Sequence, residues 1–541
     1  LAVDKVRHVG DPVVFILADT TNQALDASEL IEISYDELPC VTDTSKALNS
    51  DSPILFEEFG SNSAVDWELG SEDEWKMVED KADHISKVDL INNRIVVNPI
   101  EPRSAISDYN KDNNHFTVYV ESQGSHAMRE RLAGSLGVEE KNIKVVTNDV
   151  GGGFGLKMMC FPEYVATMFA SRALKRPVKW TSTRSEAFLS DSHGRDHVTE
   201  ASIAMDKEGN FLGVKVDTVA AVGAYLSQYG IFIPTLAGAG MHVGVYKIPV
   251  LYNKVNVVYT NTVPVDAYRG AGRPEASYVI ERLVDKAADD LGIDPVELRV
   301  KNFVQPDEIG KHEGAILPLD SCDFQKTTEM SMVNSSYEDF LKRKEESKLE
   351  NKLKGIGISY YIERTQGEGA ENSRVVISGE GSVKVFAGTQ ATGQGHETAW
   401  TQILVEKLGV NPEDVSIHFG NSDDLPGGGG TGGSKSLYMA AGAINDASNA
   451  MLKKGIEIAA NELEASIDEI EYTTDAGPLF HVKGTNRNID LYSVARLAES
   501  QSNTQILDGE SAYEHKDPTF PNGCHICEIS IDKETGRIEI D

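Results

Sequence analysis

The 541-residue sequence predicts an α+β fold built from two related halves. Three observations lead there. The length corresponds to about three or four domains at roughly 150 residues each, and 40% hydrophobic with 25% charged residues is an ordinary globular composition. One succession of a strand, a polar loop, a helix, Leu-Gly-Val, a second strand and a glycine run occurs twice. The longest stretch free of Asp, Glu, Lys and Arg, Thr218 to Tyr246, is broken by Ser227, Gln228, Pro234, His242 and several glycines. It reads as buried backbone rather than a membrane span, which needs about 20 mainly apolar residues.

Residues 1–48 predict a small α+β piece. Pro12-Val13-Val14-Phe15-Ile16-Leu17 is a strand run, Thr21 to Leu30 suits a helix, and Ile31 to Tyr35 alternates as a strand does. Residues 49–79 predict an acidic connector, a solvated loop or surface helix carrying Asp66, Glu68, Glu72, Asp73, Glu74 and Glu79. The first large half spans 80–330 and the second 355–541. Between them, 331–354 predicts a surface helix, with capping-box spacing from Ser336 to Asp339 and Gly355 as its stop.

The two halves run in parallel. In the first, Phe116 to Val120 is a strand, followed by Gln123, Gly124 and His126, a helix, Leu136-Gly137-Val138, the strand Ile143 to Val146, and Gly151-Gly152-Gly153-Phe154-Gly155. In the second, Val383 to Phe386 is a strand, followed by Gln394, Gly395 and His396, a helix, Leu408-Gly409-Val410, the strand Val415 to Phe419, and Gly427 to Gly433. The two Leu-Gly-Val marks lie 272 residues apart, too long for a solenoid unit. Two related domains facing each other would bring both glutamine loops and both glycine loops to one ligand.

Glycine runs allow positive φ and close approach of backbone N–H groups, which suit phosphate at a helix start. A helix opens at Pro162 after the first run; Ser434-Lys435-Ser436 follows the second. Neither run is a Walker A motif or a G-x-G-x-x-G fingerprint, so ordinary ATP and NAD sites are disfavoured. A third element, Tyr268-Arg269-Gly270-Ala271-Gly272-Arg273, sets two arginines around glycines, a fork for anionic oxygens. Gly153 is expected to leave room for the ligand.

Several functions are disfavoured. A net charge of −34 argues against nucleic acid and anionic membranes as partners. Five cysteines form no disulfide framework and indicate a reducing compartment. Cys524 and Cys527 read as two thiols on a strand rather than half a zinc site. His193 and His197 read as hydrogen-bonding groups rather than metal ligands. The chain opens on Leu1 and closes on a hairpin-like Gly536 to Asp541, so it is expected to continue at both ends.

In these residues the chain resembles the molybdenum-binding large subunit of the xanthine dehydrogenase and aldehyde oxidase family. It looks most like the large subunit of aerobic carbon-monoxide-dehydrogenase-like enzymes. The resemblance is carried, in the family's order, by Val6 to Val13, Asn98-Pro99-Ile100-Glu101-Pro102-Arg103, Asp149 to Lys157, Ala267 to Arg273, Gly393 to Thr398 and Thr431 to Ser436. It implies a partial α/β hammerhead domain over 1–48 and two molybdopterin-binding domains, the second incomplete. It also implies molybdenum with molybdopterin cytosine dinucleotide, held without protein metal ligands. Partners would be a small iron–sulfur subunit and a medium FAD subunit in a cytoplasmic dimer of heterotrimers.

Residue roles follow the same resemblance. Gln123, Phe154 and Arg269 match the shell of the metal centre. Gly153, Phe154, Gly155, Tyr268, Arg269, Gly270, Gln394, Gly395, His396, Thr431, Ser434 and Ser436 match the cofactor-binding positions. The implied activity is hydroxylation of a small molecule with water as oxygen source, and the glutamate base is expected beyond Asp541. Met158 stands where purine oxidisers carry a glutamate, and the 267–273 loop lacks the copper-holding cysteine of carbon monoxide oxidisers. An aldehyde or N-heterocyclic aromatic substrate is therefore expected. The alternative is a catalytically inactive cofactor-binding or assembly subunit of the same family.

Overall fold

A computed structural model describes residues 2–309, 317–365, 369–501, 506–515 and 517–541. The chain forms two compact units, each assembled from discontinuous segments. The first comprises 1–97, 189–365 and 518–541; the second comprises 98–188 and 366–517. This partition differs from the division into 80–330 and 355–541 drawn from the sequence, because each unit takes strands from both halves.

The second unit contains the repeat. Its first copy has strands β1 (Ser104–Asn110), β2 (His115–Val120), β3 (Ile143–Val146) and β4 (Val178–Thr181), with helices α1 (Ser125–Leu136) and α2 (Pro162–Leu174). Its second copy has β5 (Glu371–Ile377), β6 (Val383–Ala387), β7 (Val415–His418) and β8 (Leu507–Tyr513), with α3 (His396–Leu408) and α4 (Ser436–Glu462). The sheet orders are β3-β2-β1-β4 and β7-β6-β5-β8. In each, the two strands flanking the first helix are parallel and the other pairs antiparallel. Helices α1 and α3 end on Gly137 and Gly409, both left-handed, the conformation a helix C-terminus favours in glycine. The second copy buries Val375, Val385, Trp400, Leu404, Ile444 and Leu507 in one core.

The first unit is organised by a five-stranded sheet, in the order Ser63–Leu69, Val250–Tyr259, Phe211–Gly223, His197–Met205, His84–Asn92. The helix Arg273–Leu291 packs on it through Ala276, Val279, Ile280, Leu283, Val284 and Ala287. Its Glu281, only 5% exposed, accepts from Nε of the fully buried Arg299 at 3.0 Å and from the Tyr360 amide at 3.0 Å. A second sheet pairs Lys352–Ile362 with Asn522–Asp532 in antiparallel register.

Four expectations need correction. Residues 63–69 are not a solvated loop or helix: Ser63–Leu69 is a paired strand, whereas Glu72–Glu79 is the expected surface helix and buries only Trp75, against Ala204 and Tyr252. The acidic residues that suggested solvent occupy the outward positions of these elements. Pro12–Leu17 and Ile31–Tyr35 have no strand pairing, although Thr21–Ser28 is helical. The Ser336 side chain does not cap a helix N-terminus; the residue is instead the left-handed C-cap of Phe324–Ser335. Gly355 lies within the strand Lys352–Ile362, beyond the helix Phe340–Leu349. Cys524 and Cys527 both lie on Asn522–Asp532, three residues apart and so on opposite faces.

Candidate cofactor site

In the second unit, the first glycine loop is anchored from below. Glu101 Oε2 accepts from the Gly151 amide at 2.6 Å and from Lys157 Nζ at 2.9 Å, and the Lys157 side chain is fully buried. A buried cation that has this partner escapes the cost of an isolated charge. Arg103, also fully buried, pairs with Glu163 at 3.1 Å and lies 3.6 Å over the Phe161 ring. The segment Pro99–Arg103 therefore holds the loop and the start of α2. The loop itself is contorted: Gly152, Phe154 and Gly155 have φ of 96°, 56° and 105°. Phe154 is a non-glycine residue in left-handed backbone with its side chain 41% exposed. Such a conformation persists only where surrounding contacts enforce it.

Gln123 joins this loop to the second one. It is 5% exposed. Its Oε1 accepts from the Gly155 amide at 2.8 Å, and its Nε2 donates to the Thr431 carbonyl at 2.7 Å. The Thr431 amide donates back to the Gln123 carbonyl at 2.5 Å. Among the described residues Gln123 Nε2 donates to the Thr431 carbonyl alone, which leaves its second amide hydrogen for another acceptor. A Cβ on Gly153 would come within 2.6 Å of Gln123 Oε1, and one on Gly430 within 2.8 Å of the Gln123 carbonyl. The missing side chain at Gly153 thus makes room for Gln123.

The structural counterpart of Gln123 is Gln390, which the sequence reading missed. Phe116 pairs with Ile143 in the first copy and Val383 with Val415 in the second. Gln123 lies seven residues after Phe116, and Gln390 seven after Val383. Gln390 is fully buried, and its Nε2 donates to the Ser122 carbonyl at 2.5 Å. Gln394, chosen from the sequence, is exposed and turns its Oε1 toward Thr392 Oγ1 at 3.2 Å. The available signal was Ser-Gln after one strand and Thr-Gln after the other.

The second glycine loop is held by Glu371, 1% exposed, which accepts from the Gly429 amide at 3.2 Å. Burial pushes its carboxyl up to about 7, opposed by the Gly429 amide and Lys435. Thr389 Oγ1 lies 3.3 Å from Thr431 Oγ1 and 2.8 Å from Ser436 Oγ. Ser434 is another non-glycine left-handed residue, with φ of 55°. His396 opens α3; it is 7% exposed and stacked on Trp400 at 4.8 Å, and burial lowers its pKa.

These features fit an anionic organic cofactor. Gly124 at the start of α1 closely approaches Gly430, six residues before α4 begins, so two helix N-termini meet the second loop. At the start of α3, Gly393 and Gly395 have positive φ and a Cβ there would meet nothing within 4 Å. Gln390 Oε1 and His396 Nε2 are buried atoms without a hydrogen-bond partner among the described residues, a cost that a ligand would offset. Among the described residues no group of three or more His, Cys, Asp and Glu is placed to hold a metal.

Tyr268, Arg269 and Gly270 belong to the first unit. Arg195 donates to the carbonyls of Tyr268 at 2.9 Å and Arg269 at 3.0 Å. His193 sits in a two-residue strand and His197 begins His197–Met205, with two left-handed residues between them. They are therefore not a helical ligand pair.

Comparison with known proteins agrees with this geometry. Residues 55–303 and 331–541 match two family models, each described as a molybdopterin cofactor-binding domain. The chain is 31% identical, over 99% of its length and 68% of the relative, to the 6-hydroxypseudooxynicotine dehydrogenase complex subunit gamma of Paenarthrobacter nicotinovorans. It is 31% identical to the carbon monoxide dehydrogenase large chain of Afipia carboxidovorans, over 99% of this chain and 70% of that one. Quinoline 2-oxidoreductase from Pseudomonas putida 86 superposes with a TM-score of 0.92 at 27% identity, covering 100% of this chain and 70% of that one. The chain belongs to the xanthine dehydrogenase and aldehyde oxidase family of molybdenum-containing oxidoreductases, as a molybdopterin-binding large subunit close to that of carbon monoxide dehydrogenase.

Proposed function

We propose that the chain is the catalytic large subunit of a molybdenum hydroxylase acting on an N-heterocyclic aromatic or an aldehyde, with water as the oxygen source. The observation that carries this reading is the cross-linking of Gln123, the 151–155 loop and the 427–433 loop within one unit that also gathers helix N-termini. Bound there, a molybdenum-bearing pterin would supply the redox centre for two-electron oxidation. This chain's own contribution is to hold it: loop amides and the starts of α1, α3 and α4 face its anionic tail, and Gln123 offers its remaining amide hydrogen. Gln394, Gly395, His396, Thr431, Ser434 and Ser436 are assigned to the pterin and its diphosphate. Phe154, Tyr268, Arg269 and Gly270 are assigned to the surroundings of the metal.

The cytosine dinucleotide form of the cofactor and transfer of electrons to iron–sulfur and FAD partner subunits belong to the same proposal. The absence of cysteine from Ala267 to Arg273 argues against carbon monoxide, and Met158 argues against purines. The likeness to quinoline 2-oxidoreductase favours a heteroaromatic ring.

The test uses the full-length protein with its partner subunits, made in a host that supplies the pterin. One molybdenum per chain, release of CMP on acid hydrolysis, and dye reduction with quinoline-type or aldehyde substrates are expected. Phosphate or nucleotide without molybdenum would overturn the reading. Molybdenum with no turnover on any of these compounds would support the inactive-subunit alternative.

A further inference from the structure

We propose that the turn His193-Gly194-Arg195-Asp196 is a clamp that fixes the backbone of Tyr268 to Gly272, with Arg195 as a positioning residue for that loop. The functional consequence rests on the proposal that this loop lies beside the metal; the clamp itself rests on contacts within the first unit.

The loop needs an external restraint. Gly270, Ala271 and Gly272 have φ of 91°, 22° and 93° in succession, a run with little preference of its own for one conformation. Arg195 supplies the restraint. Its guanidinium, on a side chain 9% exposed, donates to the Tyr268 carbonyl at 2.9 Å, the Arg269 carbonyl at 3.0 Å and Glu275 Oε1 at 3.1 Å. It also lies 4.9 Å over the Tyr268 ring. A planar fork with fixed donor directions suits two successive carbonyls, which a lysine cannot reproduce. Because both peptides are trans and planar, fixing their oxygens also fixes the direction of the following N–H groups.

Glu275 closes the far end. Its Oε2 accepts from the Gly272 amide at 2.8 Å while Oε1 takes Arg195. One carboxylate thus couples the loop's exit into the helix Arg273–Leu291 to the guanidinium. At the entry, the His193 amide donates to Pro264 at 3.0 Å and the Asp266 amide to His193 at 2.9 Å. Gly194 allows the close approach: a Cβ there would meet Tyr268 Cβ at 2.6 Å.

The clamp's own backbone shows that its side chains matter. Arg195 and Asp196 are consecutive non-glycine residues with φ of 68° and 73°, a strained pair retained only under strong enforcement. Asp196 supplies it by accepting from Thr44 Oγ1 at 2.7 Å and Arg94 Nε at 2.8 Å. Arg94 in turn donates to the Val263 carbonyl and Thr262 Oγ1, both at 2.6 Å. The turn therefore grips the 262–272 segment at both ends.

The test compares wild type with Arg195→Met and Arg195→Lys in the full-length protein. Amide hydrogen exchange of the cofactor-free form is read first. Loss of three hydrogen bonds, two of them to the loop's carbonyls, should speed exchange over 268–272 by about tenfold or more in Arg195→Met, with 115–120 unchanged. Arg195→Lys should show a smaller effect. Unchanged exchange over 268–272 in both variants would overturn the clamp, whatever the cofactor proves to be. In the loaded complex, an altered Mo(V) EPR signal and a fall in kcat at nearly constant KM are expected, with molybdenum content retained. If exchange rises but the EPR signal and kcat match wild type, the clamp stands and the placement of the loop beside the metal fails. Should Arg195→Met not fold, Arg195→Lys with Glu275→Gln carries the same comparison.

Discussion

Gln123 and Thr431 bind each other reciprocally: side-chain amide to carbonyl at 2.7 Å, and backbone amide to backbone carbonyl at 2.5 Å. Residues 308 apart in sequence thereby join the two glycine loops of one unit. Gln123→Ala removes the side-chain link and the acceptor for the Gly155 amide, leaving buried polar groups unpaired. A loss of about 1–3 kcal/mol is predicted even without cofactor, read as a lower urea midpoint. An unchanged midpoint would confine Gln123 to ligand contact.

Gly153 and Gly395 should respond differently to alanine. At Gly153 the new methyl meets Gln123, so Gly153→Ala is predicted to destabilise the cofactor-free protein by about 1–3 kcal/mol through overpacking. At Gly395 there is open space, and the cost is the φ of 76° alone, about 1 kcal/mol. Gly395→Ala should then lower molybdenum retention more than it lowers stability. Equal effects on both readouts at both positions would contradict the distinction.

Glu371 gives the second unit a pH dependence of defined sign. Its carboxyl, ordinarily 4.5, is raised to about 7 by burial. Proton binding is therefore favoured by the folded state. The contribution is fully present below pH 4.5 and is lost as pH rises through 7, by roughly 3 kcal/mol at full ionisation. Glu371→Gln should flatten this slope, so the stability difference between variant and wild type grows in the variant's favour from pH 5 to pH 8. Parallel pH profiles for the two proteins would rule it out.

Arg299 and Glu281 form a buried pair in the first unit, with Arg299 Nη2 also 2.8 Å from Asp285. Arg299→Met strands Glu281 among apolar neighbours and is predicted to cost about 3–5 kcal/mol. Adding Glu281→Gln should recover part of the loss, since no buried charge is then left. Chemical denaturation of the single and double variants measures this. A double variant less stable than the single would count against the pairing.

The sequence made the repeat legible where local chemistry is strong. Gly137 and Gly409 end their helices, Pro162 starts one, and the strands at 116–120 and 383–386 alternate regularly. It misled where spacing changed. The paired strands are 27 residues apart in the first copy and 32 in the second, so Gln394 was matched in place of Gln390. Ser63–Leu69 was hidden by its outward acidic residues, and its pairing with Val250–Tyr259 is a long-range contact that no local pattern announces. Arg195 was missed because a left-handed pair of non-glycine residues leaves no compositional mark; only the flanking histidines drew notice.

The interleaving of the two units has a consequence for biosynthesis. Strand Lys352–Ile362 finds its neighbour only in Asn522–Asp532, and Glu371–Ile377 waits for Leu507–Tyr513. Neither body can close while the ribosome is still making the last quarter of this sequence. Early-emerging segments must stay protected from misassociation until then.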